Sequence, residues 1–174
     1  ISGDAMIRIV NDAKKKTQST SFSEIILGLP GDSKKAHFQS NIDILDSGVD
    51  VARSHQFIML TASPSSSRSE RKRHGFITKY RVVPKTVELY KMFGEEFYAP
   101  EIDEIVVGSK TLPHEDYLEC RLFNLTVEMF YNNGIFNDLI KLLKHHDFKI
   151  SSFILNIHEK VKSSKDLSVL YEDF

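Results

Sequence analysis

The sequence predicts an α/β protein with a parallel strand pair in its first third and helices alone toward its C-terminal end. Three observations carry this expectation. The apolar run Glu24-Ile25-Ile26-Leu27 stops at Gly28, helix and strand patterns alternate from there to Leu60, and helical spacing takes over after Pro113. A short apolar run without alternation fits a strand buried on both faces, as parallel sheets require.

Asp4 is placed to cap a helix in which Met6, Ile9, Val10 and Ala13 share a stripe, with Lys14-Lys15-Lys16 suiting the negative end of its dipole. Thr17 to Ser21 is a polar connector. Beyond the Glu24–Leu27 strand, Gly28-Leu29-Pro30-Gly31-Asp32-Ser33 forms a tight turn. Asp32 or Ser33 then caps a helix with Phe38, Ile42 and Leu45 inward, ending near Gly48. Val49 to Leu60 reads as a second strand with Val49, Val51, Arg53, His55, Phe57 and Met59 on one side. Strand, helix, strand in this order is a βαβ unit, which is built right-handed around parallel strands.

A Ser-rich loop from Thr61 to Ser67 leads into Arg68-Ser69-Glu70-Arg71-Lys72-Arg73. Thr78 to Val83 reads as a strand closed by Pro84. Thr86 to Met92 reads as a short helix stopped by Gly94, and Phe97 to Val107 as an extended segment with an acidic middle. Pro113 suits a first helical position, with Glu115 and Asp116 near the positive end of the dipole. Tyr117, Cys120, Phe123, Val127, Phe130 and Tyr131 keep helical spacing as far as Asn132-Asn133-Gly134. Further helices are expected over Phe136–Lys144, Ser152–Val161 and Lys165–Tyr171.

The 174 residues suffice for one core plus an extension, and 41 % apolar with 27 % charged residues is an ordinary globular balance. A net charge of -1 gives no global pull toward nucleic acid or membrane. The lone Cys120 excludes an internal disulfide and fits a reducing, cytoplasmic setting. No apolar run reaches the ~20 residues that span a bilayer. Ile1 stands where an initiator Met would, so the sequence is expected to begin inside a longer protein.

Several groupings invite a functional reading. The Gly28–Ser33 turn lies between strand and helix, where α/β folds bind ligands, and it reads either as an anion site or as a structural turn. Arg53, His55 and Gln56 interrupt an apolar strand and so either line a wet cavity or pair with one another. The Arg68–His74 cluster fits a solvated helix face better than a nucleic-acid contact, since no aromatics are interleaved to stack bases. His114-Glu115-Asp116 and Glu119-Cys120 lack metal-ligand spacing and fit helix-end charges beside a buried thiol. No catalytic or metal-ligating residue is expected in the chain.

Ser23-Glu24-Ile25-Ile26-Leu27-Gly28-Leu29-Pro30-Gly31-Asp32-Ser33 resembles the fifth-strand motif of radical SAM enzymes. Gln56-Phe57-Ile58-Met59-Leu60-Thr61-Ala62-Ser63 resembles that family's next strand and exit loop. Phe93-Gly94-Glu95-Glu96-Phe97 and Tyr117-Leu118-Glu119-Cys120-Arg121 resemble the C-terminal extension of its cobalamin-binding members. Two departures stand out: Glu24 where the family often has Gly, and Thr61-Ala62-Ser63 in place of Pro-Gly-Thr.

The resemblance implies the last parallel βα units of a partial (β/α) barrel over residues 1–84 and a mostly helical extension over 85–174. It implies a parent enzyme in which a [4Fe–4S] cluster cleaves S-adenosylmethionine to a 5′-deoxyadenosyl radical, with a cobalamin-binding domain upstream as an open alternative. The family's Cys-x-x-x-Cys-x-x-Cys loop is absent, so this chain alone is expected to hold no cofactor and to be inactive. By resemblance Ile26 lies against the adenine, and Gly28 and Gly31 let backbone approach the cofactor. Gln56 and Leu60 line the barrel, and Arg53 reaches a carboxylate or a substrate group. The implied partners are the N-terminal part of the same protein and a second copy meeting an open strand edge, with neither membrane nor nucleic acid. The alternatives are a non-catalytic interaction module built on the helices after Pro113, and a fragment of an RNA-modifying enzyme using Arg68, Arg71, Lys72 and Arg73.

Overall fold

The computed structural model describes Ala5, Arg8, Ile9, Asp12, Ala13, Lys16, Thr17 and residues 19–172. The expected cap Asp4 and the stripe residues Met6 and Val10 lie outside the described residues, while Ile9 is exposed. The chain is a mixed α/β protein with small sheets, and no closed barrel forms among the described residues.

Strand β1 (Phe22–Leu27) and strand β2 (Val51–Gln56) are parallel, in register from Phe22 opposite Val51 to Leu27 opposite Gln56. Helix α1 (Lys34–Ser47) connects them. Ser33 starts this helix, its Oγ accepting from the Ala36 amide at 3.2 Å, and Gly48 ends it at φ 82°, a conformation that favours glycine. The expected βαβ unit is therefore present, with buried His37, Asn41 and Ile44 adding to Leu45 on the inner face of α1.

The second strand is shorter than its apolar pattern suggests. It ends at Gln56, and Phe57–Met59 continue as a link between two sheets. The Phe57 amide still donates to Leu27 at 2.9 Å, but the Phe57 carbonyl accepts from Val106 at 2.9 Å and the Met59 amide donates to Glu104 at 2.8 Å. These last two bonds join the parallel pair to strand β6 (Ile102–Gly108), which pairs antiparallel with β3 (Ile77–Val82). Val49 and Met59 are buried while Arg53 and His55 are exposed, so one face does not run from Val49 to Met59.

The expected helix over Thr86–Met92 is instead strand β4 (Glu88–Met92), paired antiparallel with β5 (Glu95–Ala99). Phe93 and Gly94, at φ 54° and 81°, make the two-residue loop. Positive φ at both positions matches the twist of an antiparallel hairpin, and the ribbon then pairs backbone that an isolated helical turn would leave open. This ribbon is mostly solvent-exposed. Residues 85–108 are thus largely strand, and helices resume only at His114.

Helix α2 (Arg68–His74) precedes β3, and α3 (His114–Val127) follows β6. Tyr117, Cys120, Phe123 and Val127 form the buried stripe of α3, and Phe123 stacks on Phe38 of α1 with ring centroids 4.4 Å apart. A π-helical turn over Glu128–Asn132 prolongs α3. It brings Tyr131 to the Val49 carbonyl and lets the Asn132 amide bridge both the N–H and the C=O of Ala52, at 2.9 and 2.8 Å. The edge of β2 is satisfied there by a side chain rather than a strand. Helices α4 (Asn137–His145) and α5 (Ile150–Ser163) close the core through Ile140, Ile150 and Ile154. The last expected helix is reduced to α6 (Val169–Glu172). Among the described residues no helix is long and apolar enough to cross a membrane.

Candidate functional site

Parallel pairing divides β1 and β2 into two faces. Ser23, Ile25 and Leu27, opposite Ala52, Ser54 and Gln56, face the helices; Ile25 and Ala52 join the core of α1, α3 and α5. Phe22, Glu24 and Ile26, opposite Val51, Arg53 and His55, face the other way. That second face is open: Phe22 is 68 % and Ile26 43 % exposed, and Arg53 and His55 are exposed. Its polar residues pair with each other only in part, His55 Nε2 lying 3.3 Å from Glu24. Among the described residues no strand pairs with the outer edge of β1. A groove of about 380 Å³ runs along it, lined by Glu24, Ile26, Leu29, Asp32, His37 and Ile44.

The turn after β1 is closed by its own residues. Asp32 accepts from the Gly28 and Ser33 amides at 2.9 and 2.8 Å. With the Ala36 amide bonded to Ser33, these donors are spent within the turn, and Asp32 adds negative charge where an anion would sit. Of the two alternatives for this turn, the geometry supports the structural one. Gly28 is required by its φ of 93°, since a Cβ there would make only ordinary contacts, 3.5 Å from the Val106 carbonyl and 3.8 Å from Phe57. The neighbour at Gly28 is β6. Gly31, at φ 83°, has open space around it.

The six residues implied by resemblance are therefore separated. Ile26 and Arg53 share the open face, and Gly31 and Leu60, the latter 64 % exposed, are also solvent-accessible. Gly28 is buried under β6. Gln56 lies on the helix side, its Nε2 donating to the Tyr117 hydroxyl and its Oε1 accepting from Arg81, each at 2.5 Å.

Beside Gln56 a second cavity of about 390 Å³ lies between β3, β6 and α3. Lys79 and Arg121 bring positive charge to it, Ile105, Val107, Leu118 and Leu122 give it an apolar lining, and Tyr171 closes one side. Its members are scattered across more than ninety positions, so no local motif announces them. Tyr171 is held by Thr126 and by His158 Nδ1 at 2.9 Å. Burial holds His158 below the usual histidine range, and the nearby Lys162 charge acts in the same direction.

The remaining groupings have structural partners. Arg71 makes a bidentate contact to Glu104, at 2.5 and 2.7 Å, and Thr78 adds a third bond to that carboxylate at 2.6 Å. The Arg71 bond leads the lowering of Glu104 to about 2. Arg73 and His74 reach Glu70 at 3.5 and 3.2 Å, and Arg68, Lys72 and Arg73 are exposed on α2. Cys120 is fully buried, and desolvation pushes its thiol up to about 12. Such a thiol is not a metal ligand in waiting. The described residues also contain no group of three or more His, Cys, Asp or Glu able to hold a metal ion. A [4Fe–4S] cluster does not fit the side chains described here.

The chain matches no protein-family model and no curated protein.

Proposed function

We propose that this chain is the C-terminal part of a radical SAM enzyme, with β1 and β2 as the last parallel strands of a partial barrel whose other strands lie in the rest of the same protein. The observation that supports this most is the open face. A parallel pair normally has both faces covered, yet Phe22 and Ile26 face solvent opposite the helical layer. A barrel interior would account for both the open face and the unpaired edge of β1.

The parent would use the cluster to cleave S-adenosylmethionine and start radical chemistry on a substrate, with cobalamin as a further cofactor if the upstream domain is present. The cluster ligands belong to the rest of the protein. Within this chain Ile26 would offer apolar surface to the adenine, and Arg53, two residues before His55 on the same face, a cation for a carboxylate. Gly31 and Leu60 would border the groove. Gln56 and Gly28 would act indirectly, by fixing the ends of β2 and β1 against α3 and β6.

A second reading, an interaction module, is supported by exposed Ile135, Leu139, Leu142 and Phe148 around α4. The open face of the parallel pair favours the enzyme reading, because an interaction module built on the helices leaves that face unexplained. The two separate in one experiment. The natural polypeptide containing this chain, reconstituted anaerobically with iron and sulfide, is expected to form 5′-deoxyadenosine from S-adenosylmethionine, and the 174-residue chain treated likewise to form none. Product from the isolated chain, or from neither, overturns the proposal.

A further inference from the structure

The π-helical turn that prolongs α3 runs out at Asn132-Asn133-Gly134, and its two asparagines are held in different ways. The Asn132 amide is fully engaged. It accepts from the Ala52 N–H at 2.9 Å and donates to the Ala52 carbonyl at 2.8 Å and to Glu128 at 2.6 Å. Asn133 is exposed, and its Oδ1 accepts from the Ile135 amide at 3.0 Å. Of the asparagines in the chain, Asn133 alone is followed by glycine.

A side-chain bond to the amide two residues on closes an Asx turn, which curls the carboxamide carbon over the intervening backbone nitrogen. Here that nitrogen belongs to Gly134, which is exposed at φ 81° and has no side chain to obstruct the approach. The Ile135 bond also polarises the Asn133 carbonyl toward attack. Asn133 lies past the last π-helical residue, so its backbone can turn without breaking a helix. A nucleophile, an activated carbonyl and open solvent therefore meet at one dipeptide, on the surface and away from the open face of β1 and β2.

We infer that Asn133-Gly134 is a site of self-modification, at which the folded chain deamidates. The Gly134 nitrogen gives up its proton to solvent base and bonds to Asn133 Cγ; the bond from Cγ to Nδ2 breaks and ammonia leaves. One water then opens the cyclic imide at either carbonyl, giving aspartate or isoaspartate. Both products carry a new negative charge, and isoaspartate adds a carbon to the main chain. That carbon enters one residue after Asn132, so it draws the Asn132 amide off Ala52 and frees the edge of β2.

The test ages the full 174-residue chain in mildly alkaline buffer, folded and unfolded in urea, and follows each asparagine by peptide mass spectrometry that separates aspartate from isoaspartate. Asn133 is expected to convert in the folded chain at a rate within about tenfold of the unfolded one, because no opening of the fold has to come first. The isoaspartate form, isolated by ion exchange, should then exchange the Ala52 amide faster than Asn133→Asp, which carries the charge without the extra carbon. Protection of Asn133 by more than about tenfold on folding overturns the inference. So does Ala52 exchange that is as slow in the isoaspartate form as in Asn133→Asp.

Discussion

The two faces of the β1–β2 pair carry apolar residues of similar kind and meet opposite fates. Ile25 and Ala52 are covered by α1, α3 and α5, whereas Ile26, the next residue, and Phe22, on the same strand, face water. Successive side chains on a strand point to opposite faces, so strand propensity alone cannot produce this contrast. β1 is thus apolar on both sides although this chain covers only one. In β6, Ile105 and Val107 pack toward α3, while on the other face Glu104 is held by Arg71 and Thr78 and Val106 is fully buried. The non-helical face is thus open at the β1–β2 pair but covered at Val106.

The largest expected effect breaks the contrast directly. Phe123→Ala, beneath the helical face, should cost about 3–5 kcal/mol in chemical denaturation, from lost burial and the cavity left behind. Ile26→Ala on the open face should stay within about 0.5 kcal/mol, as at an exposed site. Comparable losses at both positions would mean that the open face is covered within this chain.

Glu104→Gln ranks next, costing about 2 kcal/mol at neutral pH by weakening a charge-assisted bidentate pair. The carboxyl is lowered from 4.5 to about 2 on folding. Its contribution is therefore fully present above pH 4.5 and is lost as pH falls toward 2. Denaturation midpoints across that window should slope in the wild type, with a shallower slope in Glu104→Gln.

The helix side has an acid sensitivity of the same sign at higher pH, through buried His37 and His158, both lowered from 6.5 chiefly by burial. Unfolding takes up protons at these sites below pH 6.5, so stability is present above that value and declines beneath it. Each histidine contributes a slope of at most about 1.4 kcal/mol per pH unit. Midpoints measured from pH 8 to 5 should fall, and less so in His158→Gln. The smallest effect belongs to the β4–β5 ribbon. Phe93, 98 % exposed at positive φ, should accept Asn with a gain of a few tenths of a kcal/mol, read as slower amide exchange confined to the ribbon.

These contrasts mark what could be read in the sequence. The βαβ unit was legible because its signals are local: an apolar run, Ser33 as cap, and Gly48 as terminator. The β4–β5 ribbon was not, since Val87, Tyr90 and Met92 also suit a helix and Phe93-Gly94 lacks the Asn or Asp that usually advertises such a turn. The antiparallel crossing of Phe57–Met59 onto β6 depends on residues nearly fifty positions apart. Gln56 was singled out as polar in an apolar strand, but the strand pattern could not say which face it takes; Tyr117 and Arg81 decide that. The cavity formed with Lys79 and Arg121 arises only on folding.

An interior wall of a larger protein would protect the open face, and thiol labelling of Ile26→Cys reads that protection directly. Cys120 stays silent, being fully buried with its thiol at about 12, so in the isolated chain the signal belongs to position 26. The expected result is rapid labelling in the isolated chain, protection of at least about tenfold at the same peptide in the natural polypeptide, and further slowing by S-adenosylmethionine. Equal labelling rates in the isolated chain and the natural polypeptide would contradict it.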